Sequence, residues 1–572
     1  MKRGAKWKAM GLAAVLAAQA GCSAPAAEPA EPAAQTQPVE SAKPAEPTQP
    51  QQPAETEPEA PKDYNVLLIT VDQEHYFAEY PEGTNYKARQ LLAELGTTFE
   101  KHYACSNMST SSRSVLFTGT HIPDTGMIDN TDFAWQGAMD DTLTTMGDMM
   151  REAGYYTALK GKWHLGDASI LHGGAELTDL ESYGYADWGG TDYIGSVKEG
   201  NETDPVIVSE ALDWLGGTGK QLNDEGTPFF LNINMVNPHD IMNYDITGYQ
   251  SPFMQLSGKP DGALYEKTYD TPVPASWNFD FSAADVPDAL RIFQAHWGLF
   301  AGVIRDEDVW KDYQNYYFNC IQDSDDNLMM LLDYLRDSGL MDNTVIVFTA
   351  DHGEMHGSHG MKGKGGFLYE NNVHVPLIIV HPDYAGGRTV SAVTSHVDLA
   401  PTLVDLANLP AEKKAEITAS LPGHSLLPLL DGSAEKVRDA SLFCFEMLSM
   451  TALQFGRDAE GNTTYSFDVT ARGMVRGVVT ERYKFVRYFA PVDFNTPTTP
   501  GELFAHNDVQ LFDLSADPEE LVNLAADPDA NAELIMELND LLNQTIAQEI
   551  GQDDGLHVMK VLKALQERNN AA

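Results

Sequence analysis

Ser109-Thr110-Ser111-Ser112-Arg113, continued by Ser114-Val115-Leu116-Phe117-Thr118-Gly119, sets small hydroxyl residues and one arginine ahead of a short apolar run. The pattern predicts a helix that opens near Ser109 and stops at Thr118-Gly119. A helix start gathers free backbone N–H groups and positive dipole, so an anionic ester can dock beside Ser109 with Arg113 as counter-charge. Taken alone, the segment is better read as an ordinary Ser/Thr helix cap. Catalysis must be argued from residues elsewhere. Asp72-Gln73 and Asp351-His352 supply carboxylate, amide and imidazole ligands in two adjacent pairs. Oxygen ligands suit one hard divalent cation, calcium first among calcium, magnesium and manganese, while the His352 imidazole pulls the choice towards manganese or zinc. Lys162 and His164 point the same way if their segment is extended. His239 and Lys364 add a second imidazole and a second ammonium. The two lysines and Arg113 can neutralise an oxyanion, and the histidines can bind it or protonate a leaving oxygen.

Three continuous apolar runs position these groups. Residues 65–71 end on Asp72-Gln73, residues 229–236 end on Asn237-Pro238-His239-Asp240, and residues 344–349 end on Ala350-Asp351-His352-Gly353. Such runs suit parallel strands buried on both faces, whose carboxyl ends line the ligand crevice of an open α/β sheet. Helical patterns cover residues 142–153 and 313–338. Segments 171–223 and 241–284, rich in aromatics, Gly, Asp and Pro, read as insertions over the catalytic face. Their Tyr183, Tyr185, Trp188, Tyr193 and Tyr244 offer sugar-stacking or cation-binding surfaces, although aromatic residues in insertions more often pack their own loops. Strands within 473–486 and an amphipathic helix over 531–550 predict a smaller α+β subdomain. This divides the body into a catalytic domain, 63–434, and a C-terminal subdomain, 435–572.

The chain has 572 residues, 43% of them hydrophobic, and a formal charge of -47. Length and composition predict a globular protein with a substantial core. The charge excludes a nucleic-acid partner, because a broad acidic surface cannot release counterions from a phosphate backbone. Lys2, Arg3, Lys6 and Lys8 precede the apolar stretch 10–18, which reads as an export signal and is short for a membrane span. Ala20-Gly21-Cys22 resembles the end of a bacterial lipobox, which predicts a lipid anchor to the membrane at Cys22. Simple cleavage after Ala20 without lipidation is the alternative, and both place the protein outside the cytoplasm. Residues 23–62, nearly all Ala, Pro, Glu, Gln and Thr, predict an extended tether. Cys105, Cys320 and Cys444 imply no disulfide framework, and Cys105 reads as a small buried residue.

In their order along the chain, these segments resemble the sulfatase family of the alkaline phosphatase-like superfamily. The resemblance rests on the segment ending in Arg113 and Thr118-Gly119, on Gly161-Lys162-Trp163-His164-Leu165-Gly166, on Pro238-His239 and on Asp351-His352-Gly353-Glu354. Lys364, Val375-Pro376, Ser395-His396-Val397-Asp398-Leu399-Ala400-Pro401-Thr402, Leu511-Phe512-Asp513-Leu514 and Asp517-Pro518-Glu519-Glu520 continue it. It implies an α/β fold whose central, mostly parallel sheet is flanked by helices. It also implies that Ser109 is matured to formylglycine by a dedicated maturase, with Arg113 as its stabilising partner. Asp72, Gln73, Asp351 and His352 would hold one divalent cation, and Lys162, His164, His239 and Lys364 would surround the sulfate and leaving group. An unmodified serine would be left as a stable sulfate ester, whereas a formylglycine hydrate can expel sulfate by restoring the aldehyde. Serine in place of cysteine implies an oxygen-independent radical maturase and an anaerobic host. Ser111 stands where proline or alanine is usual, and Gln73 where a second aspartate is frequent.

The implied substrate is a small-molecule or carbohydrate sulfate ester. A sulfated carbohydrate, a steroid or aryl sulfate and a small cationic sulfate ester all fit. One alternative is a phosphate ester or phosphonate hydrolase using unmodified Ser109, with His356 and His359 near enough in sequence to serve a second metal. Another is a non-catalytic binding protein of the same fold, against which the full charged set argues.

Overall fold

Strand β1, Asn65–Asp72, is buried at every position. Only a place inside a sheet covered on both faces satisfies such a strand. In the computed structural model it lies there. Residues 63–133, 135–166, 175–176, 179–246, 256–446, 448–457 and 463–571 are described. The export signal, the tether and Cys22 lie outside the described residues.

The remaining strands of the main sheet are β2 (Thr97–Tyr103), β3 (Tyr156–Gly161), β4 (Asp187–Trp188), β5 (Phe229–Pro238), β6 (Thr344–Ala350), β7 (Leu377–Val380) and β8 (Arg388–Ser395). Their order across the sheet is β8-β2-β7-β6-β1-β5-β3-β4. Every neighbouring pair is parallel except the two made by β7. The three strands singled out by their apolar runs are therefore adjacent. Val71 pairs with Ala350, and Asp72 with Pro238 across an irregular step, so three polar clusters leave the sheet at one edge.

Side chains alternate across the strands and build two cores. Val66, Leu68, Val345 and Val347 face Leu116, Phe117, Met149, Leu403 and Val404, which come partly from helices α1 (Ser109–Thr118) and α4 (Leu399–Leu406). Leu67, Ile69, Ile346 and Phe348 face Ile207, Ala211, Leu328 and Leu332 of helices α2 (Glu199–Trp214) and α3 (Glu307–Ser338). Each fully buried aliphatic side chain contributes roughly 1.5–3 kcal/mol, so a charge placed at Leu67 would break the layer. A second, antiparallel sheet joins β9 (Ala440–Phe445), β10 (Met474–Thr480), β11 (Tyr483–Phe489) and β12 (Asp508–Asp513) in that order. Helix α5 (Ala532–Glu549) packs on it through Ile535, Leu538 and Leu542. The same apolar cluster contains Cys105 and Val115, so the second sheet supports the back of α1.

The expected helix over 313–338 extends further towards the amino terminus, to Glu307, and that over 142–153 is shorter, Met146–Glu152. Within 171–223 the structure places the regular helix α2, which Pro205 and the following Leu215–Gly219 stretch disguise in the sequence.

Candidate active site

Ser109 is the first residue of α1, and the cap position is taken by Met108 at φ 65° with no side-chain cap hydrogen bond. The hydroxyl is thereby freed from capping. Its Oγ lies 3.2 Å from His352 Nε2 and 3.3 Å from Lys364 Nζ, in a setting where Ser109 is 1% exposed. Gly119, left-handed at φ 70°, ends the helix as its sequence predicts.

Arg113 lies one turn along α1, on the same face as Ser109. Its Nε donates to Asp351 Oδ2 at 3.0 Å, Nη1 donates to the Lys162 carbonyl at 3.0 Å, and Nη2 lies 3.5 Å from Asp72 Oδ2. It thus ties the ends of β1 and β6 to the segment after β3. Lys162 Nζ donates to Asp72 Oδ2 at 2.5 Å and to the Ile194 carbonyl at 3.1 Å. Burial alone would raise the Asp72 pKa, but Lys162, His239, Lys364 and Arg113 together hold it well below the usual carboxylate range.

Asp72 Oδ1 is buried without a hydrogen-bond partner and lies 3.5 Å from His352 Nε2, which is 3.6 Å from Asp351 Oδ1. One ligand atom from each of Asp72, Asp351 and His352 falls within 4.8 Å of the others. An orphaned carboxylate oxygen among converging donors fits a divalent cation. Burial, aided by Lys364, pushes the His352 imidazole down to about 4 despite Asp351 and Asp72, so it stays neutral and able to ligate at pH 7. Gln73, at φ 73°, donates its amide Nε2 to Glu354 Oε2 at 2.5 Å and accepts from Lys364 Nζ on Oε1 at 2.8 Å. Glu354 therefore fixes which way the amide points and presents its oxygen to the site.

The structure reaches the remaining residues differently from the sequence expectation. β3 ends at Gly161, and His164 takes the left-handed conformation, φ 58°, with its backbone N–H donating to both oxygens of Asp192 at 2.9 and 3.0 Å. Lys162 and His164 are not successive same-side residues of one extended strand. Lys162 enters the carboxylate cluster, and His164 Nε2 comes 3.4 Å from Asp132 Oδ1. His239 packs on Gly195, where an added Cβ would stand 2.3 Å from the ring Cε1. Burial, with Lys364 next, drives the His239 pKa well below its usual value. Gly195→Ala should therefore displace His239 and lower kcat/KM for a sulfate ester about 10- to 100-fold, with an unchanged circular dichroism spectrum. A rate within twofold of the parent would show that the ring position does not matter.

Asp132, Asp192, Gly195 and the positioning role of Glu354 were not visible in the sequence. Each acts through a contact with a distant segment and has no periodic signature. His356 and His359 do not join the Ser109 cluster: His359 stacks on Tyr369 at 3.7 Å, and His356 packs against Tyr317 at 4.7 Å. The insertion aromatics mostly pack: Tyr183 donates to the Met139 carbonyl, Tyr185 is bonded to Asn232, and Tyr244 donates to Asp312.

A nucleophile-bearing helix, an anion pocket and a metal-competent triad at the edge of a parallel sheet are the parts of an ester hydrolase. The sulfatase family profile matches residues 64–409, more than half of the chain. The chain belongs to the sulfatase family. A second profile, the C-terminal region of N-sulphoglucosamine sulphohydrolase, matches residues 357–548 of this sulfatase. The chain is 24% identical to N-acetylglucosamine-6-O-sulfatase of Bacteroides thetaiotaomicron, over 86% of its own length and 88% of the relative's. It is 28% identical to choline-sulfatase of Rhizobium meliloti, over 81% and 83%. Among solved structures, one in complex with its substrate D-glucosamine-2-N,6-O-disulfate superposes with a TM-score of 0.56 at 20% identity, covering 86% of this chain and 99% of that one. The phosphonate monoester hydrolase of Silicibacter pomeroyi gives 0.61 at 19% identity, covering 86% and 96%. These structures show that the sulfatase has the alkaline phosphatase-like fold.

Proposed function

We propose that this sulfatase releases sulfate from a sulfated carbohydrate outside the cytoplasm, using formylglycine made from Ser109 by a maturase and one cation held by Asp72, Gln73, Asp351 and His352. The observation that carries the reading is the position of Ser109 Oγ between Lys364 Nζ and His352 Nε2, on the helix whose Arg113 bridges the two metal-competent strands. Formylglycine, as its hydrate, supplies one hydroxyl for attack on sulfur and a second whose deprotonation releases sulfate. The cation, calcium by preference, supplies Lewis-acid charge beside that residue.

The chain's own side chains do the rest. Arg113, Lys162 and Lys364 set three cations against the carboxylates of Asp72 and Asp351, leaving room for an anionic ester. The negative charge of a bound sulfate would add to that of Asp72 against burial and Lys364, raise the His239 pKa and let the ring protonate the departing alcohol. The N-acetylglucosamine-6-O-sulfatase relative and the N-sulphoglucosamine sulphohydrolase C-terminal match support a sulfated amino sugar. A leader ending at Cys22 would export the chain and anchor it to the membrane through lipid. Among the described residues, no helix is long and apolar enough to cross a membrane.

Mass spectrometry of the Ser109 peptide from the native host tests the mechanism: a residue two hydrogens lighter than serine is expected, and wholly unmodified serine would overturn it. Rates on N-acetylglucosamine 6-sulfate, choline sulfate and an aryl phosphate test the substrate. Preference for the phosphate would establish the phosphonate-hydrolase chemistry instead. Removal of divalent ions by a chelator should abolish turnover, and calcium should restore it; full activity in the metal-free protein would exclude the proposed cation.

A further inference from the structure

A second group of ligand atoms lies apart from Ser109, on the far side of Glu354. His75 follows β1, Gln314 belongs to α3, His356 follows β6, and Thr271 lies in the insertion between β5 and α3. Together they line a cleft of about 360 Å³. His75 Nδ1, Gln314 Oε1, His356 Nε2 and Thr271 Oγ1 are all buried without a hydrogen-bond partner. His75, Gln314 and His356 are 5%, 3% and 4% exposed, so these are desolvated groups that have given up water for nothing shown in the chain. Such a concentration of unmatched acceptors at one place calls for a ligand.

The chemistry of the set narrows that ligand. A neutral imidazole keeps one ring nitrogen as a lone pair, and His75 Nδ1 and His356 Nε2 are the ring nitrogens that are buried and unpartnered, so each ring can offer a Lewis base there. The amide oxygen and the hydroxyl add two more. Among the described residues lining the cleft there is no lysine or arginine; Glu79 and Glu519 stand around it, as do Glu370 and Glu520, which share the buried Lys484 behind the lining. An anion has nothing to bind here, and a cation does.

The ring spacing selects the kind of cation. The His75 and His356 centroids are 5.4 Å apart. Two imidazoles bound to one ion at about 2.0–2.1 Å, with a tetrahedral angle between them, have centroids about 5 Å apart. Calcium and magnesium select oxygen cages, whereas paired imidazoles suit zinc, copper or nickel.

We propose that His75 Nδ1 and His356 Nε2 are ligands of a second, divalent transition-metal site, completed by Gln314 Oε1 and solvent. Gln73 and Asp351 are each within a few residues of this site, so the ion would staple the loop after β1 to the loop after β6. It would act as a structural clamp behind the catalytic residues, with no part in attack on the ester.

The full chain, equilibrated with zinc chloride in excess calcium chloride and dialysed, should retain one zinc per molecule. His75→Asn and His356→Asn should each weaken that retention at least about tenfold. Unchanged zinc content in both variants would overturn the site. Should the variants fail to fold, copper-loaded wild-type protein decides the matter by pulsed electron paramagnetic resonance. Coupling to two imidazoles on one copper is expected. Coupling to a single imidazole, which His352 alone would give, overturns the proposal. Neither readout depends on Ser109 maturation or on turnover, so the site stands or falls separately from the catalytic reading.

Discussion

Replacing Arg113 with alanine is expected to lower kcat on the sulfate ester by at least about 10³-fold and to cost about 3–5 kcal/mol of stability. Two consequences follow from one geometry. Arg113 is fully buried, and its guanidinium reaches Asp351 and Asp72 from a helix whose first residue is Ser109. Without it, two buried carboxylates lose a shared cation, and the helix loses the tie that sets the nucleophile against the metal-competent pair. Arg113→Lys separates these effects. A lysine restores a positive charge and part of the stability, but it cannot donate to Asp351, Asp72 and the Lys162 carbonyl in one plane. The lysine variant should therefore recover at least half of the lost stability while remaining about 10²-fold impaired in kcat. Denaturant unfolding and steady-state rates measure the two quantities. Normal turnover in either variant would remove Arg113 from the site.

The parts of this protein that were legible in its sequence are those governed by burial. β1, β5 and β6 could be read because strands covered on both faces must be apolar at nearly every position, and their polar ends then mark the crevice. Asp72 closes β1, and His239 and Asp351 directly follow β5 and β6, for that reason. Ser109 was harder. Its neighbours look like helix caps, and only the backbone of Met108, which takes the cap position at positive φ, frees the hydroxyl.

His164 shows the limit of a two-residue period. The alternation holds inside β3 and fails at the residue where the chain turns left-handed and delivers its N–H to Asp192. Asp132 and Gly195 left no trace, because their roles consist of single contacts with His164 and His239 made across the insertion. His356 and His359 illustrate the opposite error. Closeness in sequence to Asp351-His352 suggested a second catalytic metal, but the intervening turn sends one ring towards Tyr317 and His75 and the other towards Tyr369.

Lys364→Met is expected to reduce kcat by about 10²- to 10³-fold and yet to stabilise the metal-free protein. Lys364 donates to Ser109 Oγ and Gln73 Oε1 and is 2% exposed. Burial pushes its ammonium down to about 8 from the ordinary lysine value of 10.5, with Asp72 opposing the shift and Lys162 adding to it. The sign follows from proton binding: between about pH 8 and 10.5 the unfolded chain holds a proton on this lysine that the folded chain has released. Stability therefore rises with pH across that window, and the whole penalty of the buried charge is present below pH 8. The shift corresponds to about 3 kcal/mol. At pH 7 the methionine variant, free of that penalty and similar in length, should unfold at higher denaturant than the parent, and the gap should narrow as both are taken to pH 10. A parent protein that is the more stable at pH 7, or a gap that does not change with pH, would show that Lys364 is not held at an electrostatic cost. If the prediction holds, the cation beside Ser109 is retained for turnover and not for the fold. An anionic ester entering the pocket would then relieve the same penalty, which links substrate binding to the stability of the site.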